Sequence, residues 1–369
     1  MKGEVILIRL TDVGRKIDLK KAVDIIHGIQ YKVITKKRDT PKYVDFPEPI
    51  RLEIIQRITT TSQYINEVKL QVKIYEDGVI SLTAHLKFAD LQLNELYEIR
   101  KIKFYVENIE YNINQFLKSH ETKIFNQIRD CIDEVGYNFG ITDTEKYTMY
   151  CLTDTFENPK SFINENKIFI ANLLMGEDPE LNLNQYQIER TLENSFSYLQ
   201  NDYIIFDFDR GLIIDPTEDY NDILTVIEIA NYQLLELRIL DKLLERRLSL
   251  AESDISKIYY MSGTLWRRLS KRVGNLLRLK YDLSYLLESV ENISKLFGDF
   301  YLAQLYTQLA ELFQLKEWSG SIRHRIDTIG DIYNVAQTNL NEKFLLYMEI
   351  LLTFIFIIEF VFLILGYFN

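Results

Sequence analysis

The chain has 369 residues, 47% of them hydrophobic, and 54 acidic against 43 basic side chains give it a net charge of −11. That is enough apolar material for a buried core in two or three domains, and it excludes a disordered chain. The acidic balance argues against non-specific nucleic-acid binding, which needs clustered Lys and Arg to neutralise phosphates.

The first segment, MKGEVILIRLTD, has four consecutive apolar residues before Arg9, too few for the core of a signal peptide, and reads as a strand. In EVKLQVKIYEDGVISLTAHL (67–86), Val68, Leu70, Val72 and Ile74 alternate with polar neighbours, and Asp77-Gly78 separates two such runs. This pattern predicts a β-hairpin. From Asp90 to Ile132 the apolar residues, including Leu93, Leu96, Ile109, Ile113, Phe116, Ile124 and Ile128, recur at helical spacing and predict a helix or a helix pair. Short strands are expected at YTMYCL (147–152), KIFIAN (167–172) and NDYIIFDFDRGLIID (201–215), the last a hairpin turning near Arg210-Gly211. The front is therefore expected to be α+β, a mixed sheet with helices on one face.

All six prolines fall before residue 217, which leaves the remainder free of the strongest helix breaker. Helices are predicted over 221–247, 256–294 and 300–317, and a fourth from Ile322 onward. Along that fourth helix Ile322, Ile326, Ile329, Tyr333, Ala336 and Leu340 keep a 4-3 spacing, as in the seam of a coiled coil or an antiparallel helical hairpin. From Ile350 to Phe368 the only ionisable residue is Glu359, and at ~1.5 Å per residue the stretch reaches about 28 Å, close to the thickness of a hydrocarbon core. It is expected to be a transmembrane tail anchor. Arg323, Arg325 and Lys343 precede it, so the positive-inside rule places the N-terminal part in the cytoplasm. The expected division is a cytoplasmic α+β domain over 1–217, a helical stalk over 218–349 and a single membrane span over 350–368, in the cytoplasmic membrane.

Chemical motifs are sparse. His27, His85, His120 and His324 form no HxxxH or HExxH pair, and Cys131 and Cys151 form no CxxC, so no metal site or cofactor is expected and the thiols read as reduced, buried small hydrophobes. IIFDFDRGLIID places Asp207 and Asp209 like the first motif of haloacid-dehalogenase phosphatases, but Gly211 stands where that family has Thr or Val. The strand also turns straight back instead of leading into a helix, so the hairpin reading is preferred, with both aspartates on its solvated face. Arg267, Arg268, Lys271 and Arg272, with Arg278 and Lys280, recur at helical spacing; they are available for lipid headgroups or phosphate, although such runs are more often solvated faces. Glu359 is the one charge deep in the apolar stretch. Glu349 precedes it by ~15 Å along the axis and about 80° around it, and Thr353 lies one turn after Glu349. These three residues suggest a flank for contact with another membrane helix.

The C-terminal residues carry a family resemblance. Asp299-Phe300-Tyr301, Leu305-Tyr306, a long helix with Leu340-Asn341-Glu342-Lys343, and an apolar end with acids at Glu349 and Glu359 resemble the membrane-protein family named for a requirement in meiotic nuclear division, whose eukaryotic members include mitochondrial proteins that support mitochondrial translation. The likeness covers about the last 150 to 170 residues and is sharp over the last 70; Ile350 stands where that family often has Trp. It implies an anchored, non-enzymatic protein with a soluble α/β part and a helical stalk. The resulting expectation is a tail-anchored scaffold or tether that self-associates through stalk and membrane helix and binds an unidentified cytoplasmic protein, with nucleic acid an unlikely partner. The alternatives are an oligomeric channel or transporter with an acidic ring at Glu359 and, less favoured, a metal-dependent phosphatase.

Overall fold

The computed structural model describes residues 1–27, 32–33, 50–57, 59–60, 67–99, 101–106, 109–133, 143–179, 181–258 and 300–367. The elements in chain order begin with β1 (Gly3–Asp12), β2 (Lys16–Ile17), α1 (Leu19–His27), β3 (Lys32–Val33), β4 (Ile50–Arg57), β5 (Thr59–Thr60), β6 (Glu67–Ile74) and β7 (Val79–Phe88). Next come α2 (Leu96–Ile99), β8 (Lys103–Val106), β9 (Ile109–Asn112), α3 (Ile113–Ile128), β10 (Ile132–Asp133) and β11 (Thr144–Leu152). They continue with α4 (Pro159–Glu165), α5 (Lys167–Met175), α6 (Gln185–Glu193), β12 (Ser195–Phe196), β13 (Tyr203–Phe206) and β14 (Arg210–Ile214). The last three are long helices, α7 (Asn221–Ile258), α8 (Phe300–Leu312) and α9 (Leu315–Tyr367).

Two compact units emerge, one from Met1–Ile239 with Ser289–Trp318 and the other from Leu240–Glu288 with Ser319–Asn369. The first is built on a sheet in the order β12-β13-β14-β11-β1-β7-β6-β4-β3. All neighbouring pairs are antiparallel except β11 with β14, which are parallel. A parallel pair needs a long crossover, and α4 to α6 supply it. Strand β1 lies near the middle, between β11 and β7. Its odd-numbered Val5 and Leu7 join a core completed by α1 to α5, while Glu4 on the even face meets Tyr220 at the start of α7. Because both faces are covered, β1 reads as an unbroken apolar run instead of an alternating one.

The expectation of helices on one face is therefore corrected. Helix α7 lies across the even face, where Glu228 pairs with Lys73, the Tyr75 hydroxyl donates to Glu228 at 3.1 Å and the Tyr232 hydroxyl donates to Asp77 at 3.1 Å. Helix α8 joins it through the Tyr306 hydroxyl, which donates to Gln233 at 2.6 Å, and Phe313, in the turn just after α8, packs against Tyr147. The sheet unit thus extends beyond residue 217.

The hairpin at Asp77-Gly78 forms as predicted between β6 and β7. Gly78 has φ +88°, and a Cβ there would lie 1.8 Å from the carbonyl oxygen of Gly14, so turn and neighbouring loop both require glycine. In 90–132 a small hairpin, β8 and β9, separates α2 from α3, and Ile109, expected on a helix, sits exposed in β9. Helix α3 starts where Asn112 and Gln115 exchange backbone-to-side-chain hydrogen bonds of 2.9 and 3.0 Å. KIFIAN is a second correction: it opens α5, which ends at Gly176 with φ +72°. Ile168 and Ile170 suggest a period of two, but the apolar run extends to Met175 and is buried around most of its circumference, and such short runs do not distinguish strand from buried helix. The second hairpin turns at Asp207–Asp209, just before the position expected, with the Asp207 amide donating to the Arg210 carbonyl at 2.7 Å.

Helix α7 continues to Ile258, past the expected end at 247, and the helix expected over 256–294 lies outside the described residues beyond that point. Gln314, at φ +54°, separates α8 from α9, so α9 starts seven residues before Ile322. In the second unit Ile322, Ile326, Ile329 and Tyr333 are buried, and Arg325 pairs with Asp241 of α7 at 2.9 Å. The side chains of Ala336 and Leu340 lie outside the described residues.

Candidate functional sites

Two features stand out from a purely structural background. One is the distal part of α9. From Phe344 to Ile364 it presents 21 residues of high hydropathy, none of them buried. Sixteen are Leu, Ile, Phe or Val. At roughly 0.3–0.6 kcal/mol each on insertion scales they offset most or all of the cost of its two carboxylates, Glu349 and Glu359, which is at most ~3 kcal/mol each at a helix centre and less away from it. At ~1.5 Å per residue the stretch is about 31 Å long. It begins six residues before the expected start at 350, so Glu349, expected at the edge, falls inside it. Glu349 and Glu359 lie five residues on either side of Phe354, the midpoint. The Thr353 hydroxyl donates to the Glu349 carbonyl at 2.8 Å, which commits its proton to its own helix. The seam residues from Ile322 to Tyr333 are already buried within the single chain. Arg267, Arg268, Lys271 and Arg272 lie outside the described residues.

The other feature is a cavity of about 270 Å³ on the odd face of the sheet, between β1, β11, the start of α3 and the turn before β14. Its wall carries Arg9, Lys101, Lys146 and Arg210 against one carboxylate, Asp209. Arg9 and Lys146 are register partners on β1 and β11. Like charges directly opposite one another repel. Glu121 of α3 relieves one of them by pairing with Arg9, and it accepts the Thr11 hydroxyl at 2.9 Å. Lys146 is exposed and has no hydrogen-bond or ion-pair partner among the described residues. Arg210 is 12% exposed; it donates to the Leu174 carbonyl at 3.0 Å and pairs with Asp209 at 3.0 Å. Its Nε is buried with no hydrogen-bond partner among the described residues. A Cβ on Gly176 would lie 2.3 Å from this guanidinium, so the left-handed glycine that ends α5 also makes room for it. Asp207 and Asp209 thus belong to a tight turn. Burial, then the charge of Asp209, pushes the Asp207 carboxyl upward, and Asp209 is half exposed on the cavity rim. Among the described residues no group of three or more His, Cys, Asp and Glu is placed to hold a metal ion. Sequence reasoning missed the cavity because its cations stand at 9, 101, 146 and 210 with no common period. The one local signal is Arg9, a charge interrupting a strand otherwise buried on both faces.

Beneath α7 lies a polar layer. Glu4 accepts from the Tyr220 hydroxyl and meets His85 Nδ1 at 3.0 Å, while His85 Nε2 is buried without a hydrogen-bond partner among the described residues. Burial alone would raise the Glu4 carboxyl, but the hydrogen bond and charge of His85, then Tyr220, bring it below its usual value. Nearby, burial pushes Asp12 up to about 7, with Asp143 adding to the effect, and raises Glu236 well above its usual range, with Asp12 and Asp77 adding to it. Arg238 of α7 pairs with Glu145 and, at 3.7 Å, with Asp143.

These features define an α+β protein whose sheet is covered on both faces and whose last helix carries an apolar stretch of membrane-spanning length. Residues 2–220 match the family described as "Uncharacterized protein MJ0711, N-terminal domain", and the chain belongs to that family. The uncharacterized protein MJ0711 of Methanocaldococcus jannaschii is 29% identical over 308 residues, covering 80% of each chain. No solved structure matches. The family match covers the N-terminal part of the sheet unit.

Proposed function

We propose that this protein is a non-catalytic membrane-anchored scaffold: α9 holds it in a bilayer through Phe344–Ile364, and the sheet unit binds a partner protein in the cytoplasm. The observation that carries the reading is the full exposure of that 21-residue apolar stretch, far more contiguous apolar surface than a soluble monomer leaves in water. Arg323, Arg325 and Lys343 before the stretch favour the cytoplasmic side for the sheet unit. Self-association is assigned to the membrane stretch, since Ile322 to Tyr333 are already covered in one chain. The test is extraction of cell membranes with alkaline carbonate. The full chain is expected to stay in the pellet, and a chain ending at Asn341 to be released; full-length protein in the carbonate supernatant overturns the anchor.

A second reading, an oligomeric channel or transporter, is favoured by one observation: Glu359 is exposed on the apolar stretch, where several copies would form an acidic ring.

A further inference from the structure

We infer that the cavity beside β1 and β11 is a binding site for a phosphate group of a small phosphoester. Three independent donor sets converge there. The strands contribute Arg9 and Lys146, side by side in register; Glu121 offsets the charge of Arg9, and Lys146 is left without a counter-charge among the described residues. The turn before β14 contributes the guanidinium of Arg210, 12% exposed at the cavity wall. Helix α3 contributes its first amides, at Ile113 and Asn114, which every helix start leaves without an intrahelical acceptor and which carry the positive end of the helix dipole. The side chain of Asn112 is engaged by the Gln115 amide at 2.9 Å, so the cap does not satisfy these two.

A tetrahedral phosphate offers acceptors in several directions, as donors arriving from the sheet, the helix and the hairpin require. A planar carboxylate satisfies one fork at a time. The Asp209–Arg210 contact and the Arg9–Glu121 pair leave both guanidinium groups fixed, so the site is largely formed before the ligand arrives. At about 270 Å³ the cavity has room for a small organic group beside the phosphate, and the Tyr97 ring, beneath the Lys101 ammonium at 4.2 Å, lines it on that side. The site lies wholly within the sheet unit, so the inference does not rest on the membrane reading, which enters only through the nanodiscs of the test.

The experiment is calorimetric titration of inorganic phosphate, at fixed ionic strength, into the full-length protein in phosphatidylcholine nanodiscs, repeated in discs containing phosphatidic acid. The expected result is saturable binding at one site, weakened about tenfold or more by Lys146→Glu and by Arg210→Lys. Lys146 is exposed and unpaired among the described residues, so its variant is expected to melt like wild type and isolates binding from folding. If phosphatidic acid in the disc competes with added phosphate, the site takes a lipid headgroup; if it does not, the ligand is a soluble phosphoester. Absence of saturable binding in both kinds of disc, or equal binding by wild type and Lys146→Glu, overturns the assignment.

Discussion

At Asp12 the chain turns out of its central strand with a carboxylate that is 5% exposed and that accepts the Gly14 amide at 2.9 Å. Burial holds its proton up to about pH 7, so between its unfolded value near 3.8 and that point the folded state binds more protons than the unfolded state. Stability linked to this group therefore falls as pH rises from about 4 to about 7 and is flat above. Glu236, raised in the same direction by burial and by Asp12 and Asp77, reinforces the trend. Asp12→Asn keeps the acceptor oxygen for Gly14 and removes the titration. It is expected to raise the melting temperature clearly at pH 8 and little at pH 5; an equal effect at both pH values in thermal melts would show that Asp12 does not titrate across that window.

The elements most distant from their sequence expectation are those whose form depends on what they pack against. Helix α5 is a helix because the sheet and its neighbours cover most of it, and α7 lies on a second face of the sheet because polar residues of the two interlock. Within that layer Glu228, 3% exposed, holds Lys73 and the Tyr75 hydroxyl. Removing one member of a buried pair leaves the other charge unsatisfied, at a cost of roughly 3–5 kcal/mol, whereas replacing both with apolar side chains is often nearly neutral. Glu228→Ala is expected to lower the urea midpoint strongly, and the double variant Lys73→Met with Glu228→Leu to recover most of the loss. If the double variant is no better than the single, the pair is not the contact that fixes α7 to β6.

For the whole molecule the decisive feature is α9, 53 residues in one helix, buried along one stripe near its start and wholly exposed over the apolar stretch. Light scattering tests whether that stretch assembles several copies, which the acidic ring requires. The full-length protein in nanodiscs is expected to give a multiple of the chain mass, and the chain ending at Asn341 a single mass in plain buffer. A single mass for both removes the acidic ring at Glu359, which needs several copies, and leaves the scaffold as an anchored monomer.

Local pattern alone determined the hairpin at Asp77-Gly78, the strand at 147–152, the helices over 221–258 and 300–312 and the apolar end of α9, because each rests on periodicity or composition within about twenty residues. The sequence also placed Ile322, Ile326, Ile329 and Tyr333 on one stripe, and all four are buried. Only the tertiary structure decided that the sheet is covered twice, that KIFIAN is helical, and that Arg9, Lys101, Lys146 and Arg210 share one cavity wall. Those outcomes depend on strand register and on packing between residues far apart in the chain, and charges that meet only through register leave no period in the sequence.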